Sequence, residues 1–165
     1  MRDQLHETPD MILNPYRFAT GGGGGFDDVI RNEIFTSSTQ GIQTASTGLG
    51  TPTQPAWYAF DGTSAHWQTT AAFPVSLDLD FGEDQFINSV GIQSKEFRYL
   101  IDFTIDSSPD ASTWTIRHTV TGAPDDSSLM VYYTLDDPAT DRHWRIRCTL
   151  SFGTGTRLQE VQWRS

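Results

Sequence analysis

From Val75 almost to the end of the chain, apolar and polar residues alternate one for one, and no other feature restricts the fold as much. In VSLDLDF, Val75, Leu77, Leu79 and Phe81 alternate with Ser76, Asp78 and Asp80. Successive side chains of a strand point to opposite faces, so this is a half-buried strand with carboxylates on its outer face, and Gly82 is expected to end it. The same period recurs in Ile87 to Gln93, with Val90 and Ile92 inward, and in Leu100 to Ser107, with Ile101, Phe103 and Ile105 opposed to Asp102, Thr104 and Asp106. Trp114, Ile116 and Val120 are expected to line one inner face, and Val131, Tyr133 and Leu135 another. Trp144, Ile146, Cys148, Leu150 and Phe152 alternate with Arg145, Arg147, Thr149 and Ser151, and Leu158 to Trp163 closes the chain with Val161 and Trp163 inward. With a first strand near Ile34 to Thr39, this predicts about eight or nine short strands and no helical pattern long enough to cover a parallel sheet. The expected fold is an all-β, antiparallel jelly-roll β-sandwich.

Ahead of this pattern lies WYAFDGTSAHWQTT (57–70), which sets an apolar cluster, an Asp61-Gly62 turn, small hydroxyls and Trp67 within fourteen residues. The chain enters the core, surfaces near Asp61 and re-enters. Trp67 reads as core; Trp57 reads either as core or as an exposed ring.

At 165 residues the chain suits one well-buried domain. Its 21 acidic against 11 basic residues, a formal charge of -10, oppose a phosphate backbone and an anionic lipid surface alike, so neither nucleic acid nor membrane insertion is expected. One cysteine forms no internal disulfide, and Cys148 reads as a small core residue. No signal-peptide pattern opens the chain and no stretch is long and apolar enough to span a bilayer.

Residues 1–25 are expected to form an N-terminal docking arm with a five-glycine linker, followed by a β-sandwich domain over 26–165. A five-glycine run is costly to order, which suits a hinge, whereas Ile12, Leu13, Tyr16 and Phe18 are too apolar for a solvated tail and suit a partner surface.

Catalysis is not expected. His6, His66, His118 and His143 are scattered, with no HExxH and no metal-spaced Cys/His cluster. There is no G-x-S-x-G elbow, the glycine run lacks the Lys-Ser/Thr of a phosphate loop, and Asp78, Asp80, Asp102 and Asp106 read as solvated outer-face carboxylates.

Five pieces in order carry a family resemblance over about Ser46 to Trp163: AFDGTSAHWQT (59–69), FPVSLDLDFGEDQFINSVGIQS (73–94), FTIDSSPDASTW (103–114), HWRIRCTL (143–150) and LQEVQW (158–163). Together they resemble the discoidin or coagulation-factor type C family, the galactose-binding-like jelly rolls that include many carbohydrate-binding modules. The chain departs from that pattern where Phe73-Pro74-Val75 replaces a usual Trp, where Ala111 replaces the Gly after Asp110, and where SKEFRYL (94–100) is short. The resemblance implies sugar binding through loops at one end of the sandwich, with Trp57, His66, Phe97, Arg98 and Tyr99 as candidates. Such recognition sets an aromatic ring on the apolar side of a pyranose and planar polar groups on its hydroxyls. It also implies a structural Ca²⁺ held by Asp61, Thr63, Glu160 and backbone carbonyls, the alternative being that Asp61 caps its own turn.

The words ILNPYRFATGG (12–22) resemble the openings of bacteriophage tail and virion proteins. That likeness implies a tail fibre, tail tip or head spike, present on the virion and extracellular after release. Such a protein would bind other virion proteins through the arm and host cell-surface polysaccharide through the sandwich, as a homo-oligomer. The alternatives are a structural decoration or adaptor protein binding only other virion proteins, and a free bacterial carbohydrate-binding module.

Overall fold

A computed structural model describes residues 29–30, 36–41, 43–70, 72–95, 99–123, 129–153 and 155–165. The expected first strand is seen only as Thr39–Gln40, since 31–35 lie outside these ranges. The strands are β1 (Val29–Ile30), β2 (Thr39–Gln40), β3 (Gln43–Leu49), β4 (Pro52–Gln54), β5 (Trp67–Thr69), β6 (Val75–Ser94), β7 (Leu100–Ser108), β8 (Thr115–Val120), β9 (Val131–Ser151) and β10 (Arg157–Arg164). Among the described residues one 3₁₀ turn spans Ala56–Phe60.

Two of these strands are far longer than expected. β6 runs for 20 residues and β9 for 21. Gly82 does not end the first: it takes φ 79°, and its N–H donates to the Asp80 carboxylate at 2.7 Å. The β6–β9 register slips between Asp80 and Gln85 and again between Ile87 and Ser89. A glycine with positive φ beside such a slip is a bulge, which bends a strand without breaking it.

The bend lets β6 and β9 serve both layers of an antiparallel sandwich. Val75–Asp80 pairs with His143–Cys148, flanked by β3 and β2 on one side and by β7 and β8 on the other. Ser89–Ile92 pairs with Val131–Thr134, flanked by β10, β5 and β4, with β1 also on β10. The layers meet where Trp163 touches Trp144 at 5.7 Å and Phe81 at 6.3 Å, and where Phe103 meets Tyr133 edge-on at 5.2 Å. Trp67, on β5, donates its indole N–H to the Thr47 hydroxyl of β3 at 2.8 Å. Trp67, Trp144 and Trp163 are fully buried with Leu77, Leu79, Ile87, Ile105, Ile146 and Leu158, each such side chain adding roughly 1.5–3 kcal/mol over its exposed state. Cys148 lies in this core as expected, and burial pushes its thiol up to about 11.

Several outer-face expectations are corrected. Asp106 is not solvated but 1% exposed, accepting the Arg145 Nε–H at 2.8 Å. The register aligns Asp78, Arg145 and Asp106 across three strands. Trp114 lies over the Arg145 guanidinium at 4.1 Å rather than on an inner face. A carboxylate here is sealed by a cation and a ring, which a period-two pattern does not encode. Burial likewise holds the Asp78 carboxyl above its usual range, whereas the Arg142 guanidinium holds Asp80 below it. Ile116, 55% exposed, faces outward because the β7–β8 register slips between Ile105 and Asp106 and reverses the parity. Leu150 and Phe152 are also exposed, for the reason given below.

The turn between β7 and β8 carries the Gly-to-Ala departure. Asp110 accepts the N–H groups of Ser112 (2.8 Å) and Thr113 (3.0 Å) and the Ser108 hydroxyl, which depresses its carboxyl strongly. Those bonds hold Ala111 at φ 59°, a left-handed conformation that costs an L residue about 1–2 kcal/mol. Ala111→Gly relieves that cost and gives back about 0.4–1 kcal/mol in unfolded-chain entropy. The expected result is a gain of about 0.5–1 kcal/mol in urea unfolding; a loss would mean that the turn is not strained at Ala111.

Candidate functional site

Because β6 bends over, its two ends lie at the same end of the sandwich. Cys148, opposite Val75, accepts from the Thr156 hydroxyl at 3.5 Å, while Thr156 leads into the strand that pairs with Ser94. The link between β9 and β10 is moulded tightly here. Ser151 donates its hydroxyl to the Gly155 carbonyl at 2.7 Å, and the Thr69 N–H donates to the Thr156 carbonyl at 3.1 Å. Gly155 sits at φ 89°, and a Cβ there would fall 2.1 Å from the Thr69 carbonyl oxygen. No other residue type fits that approach.

Two connections are tied together at this end. The Lys95 N–H donates to the Arg157 carbonyl at 3.1 Å, and the Phe152 N–H donates to the Tyr99 carbonyl at 3.0 Å. The second tie brings the Tyr99 and Phe152 rings parallel, 3° apart in plane and 5.3 Å between centroids. Phe152 remains 49% exposed. It was expected to point inward with Cys148, but the β7–β9 register slips at Leu100/Asp102 and at Asp102/Phe103, and the strand end turns Leu150 and Phe152 to the surface.

At the same end of the sandwich lies a set of planar polar groups. Arg157 Nε–H donates to the Gln68 amide oxygen at 2.7 Å, and His66 Nε2 lies 3.4 Å from the same oxygen. Lys95 Nζ donates to the Gln159 amide oxygen at 3.2 Å. Arg157 has five N–H donors, so the contact through Nε leaves the terminal nitrogens of its fork to engage other groups. The described ion pairs elsewhere join Arg117, His118, Arg142, His143 and Arg145 to aspartates. A parallel ring pair with Phe152 exposed and Tyr99 half-buried, at the same end as amides and a guanidinium, is chemically equipped to hold a polyhydroxylated ring.

The structure thus brings Tyr99 to this rim and places His66 on its polar flank. Trp57 is half-buried in the 3₁₀ turn that packs against β3, β5 and β10, edge-on to Tyr58 at 4.4 Å and against the core. Phe97 and Arg98 lie outside the described residues, as do Ile12, Leu13, Tyr16 and Phe18 of the arm. Phe152, Gln68, Lys95 and Arg157 also lie at this end and are not among the candidates read from the sequence. Only Phe152 carried a sequence signal, a large apolar residue directly before Gly153.

At the Asp-Gly corner, the Asp61 carboxylate takes both the N–H and the hydroxyl of Thr63 on one oxygen, each at 2.8 Å, and the Thr63 hydroxyl in turn accepts the Ala65 N–H at 3.0 Å. This is the geometry of a self-capped turn. Glu160 lies on β10 opposite Gln93. Among the described residues no group of three or more His, Cys, Asp or Glu side chains is arranged to hold a metal.

A model of the F5/8 type C domain family matches residues 35–159. A search of curated proteins finds no match. Among solved structures, the chain is similar to chitosan-binding module 1 of a chitosanase/glucanase from Paenibacillus sp. IK-5, at 23% identity and TM-score 0.65 over 75% of this chain and 96% of that one. It is also similar to module 2 of the same enzyme, solved with chitotriose, at 19% identity and TM-score 0.66 over 75% and 97%. A family 32 carbohydrate-binding module of C. perfringens NanJ, solved with galactose, gives 21% identity and TM-score 0.64 over 75% and 94%. At these identities the likeness is one of fold.

The moulding of the β9–β10 link is testable. Gly155→Ala is expected to destabilise the protein by on the order of 2–3 kcal/mol, from the left-handed backbone and the displaced Thr69 carbonyl together. Urea unfolding measures it; an unchanged midpoint would mean that the link moves aside freely.

Proposed function

The chain belongs to the F5/8 type C domain family, and from that premise we propose that it is a non-catalytic carbohydrate-binding module. Its ligand rests on the Tyr99–Phe152 pair and is oriented by Lys95, Gln68, Arg157 and Gln159. The observation that carries this reading is the parallel ring pair, its Phe152 exposed and its residues tied by a backbone hydrogen bond, at the same end of the sandwich as planar donors and acceptors. Two structural neighbours named as chitosan-binding modules and a family 32 carbohydrate-binding module solved with galactose support it. Phe97 and Arg98 fall between Lys95 and Tyr99 in the chain, and we assign them to the same site.

The wider proposal is that residues 1–25 dock this module on a phage-like particle, where it binds host cell-surface polysaccharide. The support is the ILNPYRFATGG opening and the apolar residues Ile12, Leu13, Tyr16 and Phe18. A free bacterial carbohydrate-binding module fits the same rim equally well. A glycan array and calorimetry on the full chain, on Phe152→Ala and on a chain starting at Phe26 separate these readings. Phe152→Ala should lose about tenfold or more in glycan affinity, about 1.4 kcal/mol, with its melting temperature kept. The chain starting at Phe26 should keep its affinity yet fail to join particles. Unaltered binding by Phe152→Ala would remove the rim as the site, and normal incorporation of the shortened chain would remove the arm.

A Ca²⁺ at the Asp61 corner is likewise a proposal. It would use the second Asp61 oxygen, backbone carbonyls and Glu160, since the first oxygen and the Thr63 hydroxyl are engaged with each other. Were the ion structural, chelator would lower the melting temperature, added Ca²⁺ would restore it, and Asp61→Ala would abolish the response. A melt indifferent to chelator would leave Asp61 as the cap of its own turn.

A further inference from the structure

We infer that the glycan taken by this rim is anionic, carrying carboxylate or sulfate groups. The inference rests on the site reading above and adds the class of ligand.

The chain has a formal charge of -10, and among its described Lys and Arg side chains Arg117, Arg142 and Arg145 are matched to carboxylates. Arg145 holds Asp106, Arg142 holds Asp80, and Arg117 holds Asp137 and Asp141. Lys95 and Arg157 are joined backbone to backbone, and their described side-chain partners are the neutral amide oxygens of Gln159 and Gln68. Two cationic residues joined through their backbones therefore carry no compensating carboxylate in the described ion pairs, with His66 beside the same Gln68 oxygen. The nearest acidic neighbours in sequence are Glu160, on β10 opposite Gln93, and Glu96, outside the described residues.

Neutral sugars do not require such a pair, because amides and hydroxyls satisfy hydroxyl groups without a net charge. An anionic group uses it fully: a guanidinium fork matches a carboxylate or sulfate in two hydrogen bonds, and an ammonium adds a point charge. The acidic remainder of the protein does not prevent this. Charges more than about 8 Å away are largely screened at physiological salt, whereas groups in contact are screened much less.

The test uses the full chain and calorimetry at 0.15 and 0.5 M NaCl. The probes are oligogalacturonate, its carboxyl-reduced neutral counterpart, a sulfated galactan and chitotriose. The expected result is that oligogalacturonate or the sulfated galactan binds about tenfold or more tightly than the neutral counterpart at 0.15 M salt. That margin should shrink at 0.5 M, and Lys95→Gln and Arg157→Gln should each cut it several-fold. Arg142→Gln, which removes the same charge from the ion pair with Asp80, should leave it unchanged. Equal binding of neutral and anionic oligomers, indifferent to salt, would overturn the inference and leave the site reading standing. Binding of none of the four probes would overturn both.

Discussion

The fold depends on one pair of strands passing through both layers. β6 and β9 stay hydrogen-bonded to each other from Val75–Cys148 to Ile92–Val131, yet the first half of the pair belongs to one sheet and the second half to the other. A sandwich built this way has no separate seam between its sheets. The bulge at Gly82 and the slips on either side of Gln85 and Ile87 take up the turn, and Trp144, Trp163 and Phe81 fill the space that the turn encloses. The candidate rim follows from the same geometry, because both ends of a bent strand emerge together and bring the links at Lys95 and Phe152 into register.

Much of this architecture was legible in the residues. The alternation in VSLDLDF and HWRIRC correctly placed Leu77, Leu79, Trp144, Ile146 and Cys148 inside. What it could not show was continuity: a Gly after seven alternating residues stops a strand or bulges it, and only pairing with β9 decides between them. Parity failed wherever a register slip intervened. Ile116, Leu150 and Phe152 sit beyond such slips and face outward, though each continues an apolar alternation. The outer-face carboxylates were misread for another reason. A pattern says which face Asp106 points to, but not that Arg145 and Trp114 will cover that face.

The candidate site was legible only where an aromatic marked it. Tyr99 was named from sequence, and the structure supplied its partner. Gln68, Lys95 and Arg157 carry no motif: they converge because β5, β6 and β10 are neighbours, and residues distant in sequence become adjacent only through pairing. Gly155 binds these pieces together, since its missing side chain lets the β9–β10 link close on Thr69. The same link turns Phe152 outward and fixes Arg157 beside Lys95. One tight backbone approach thus positions both the ring pair and the charge pair.

Backbone-amide chemical-shift mapping by NMR shows whether a saccharide sits on this rim. On titration with an oligosaccharide that binds the chain, the largest shifts are expected at Gln68, Lys95, Tyr99, Phe152 and Arg157. Shifts centred instead on the opposite end, around Asp110 to Trp114 or the β6–β9 bend, would contradict the account.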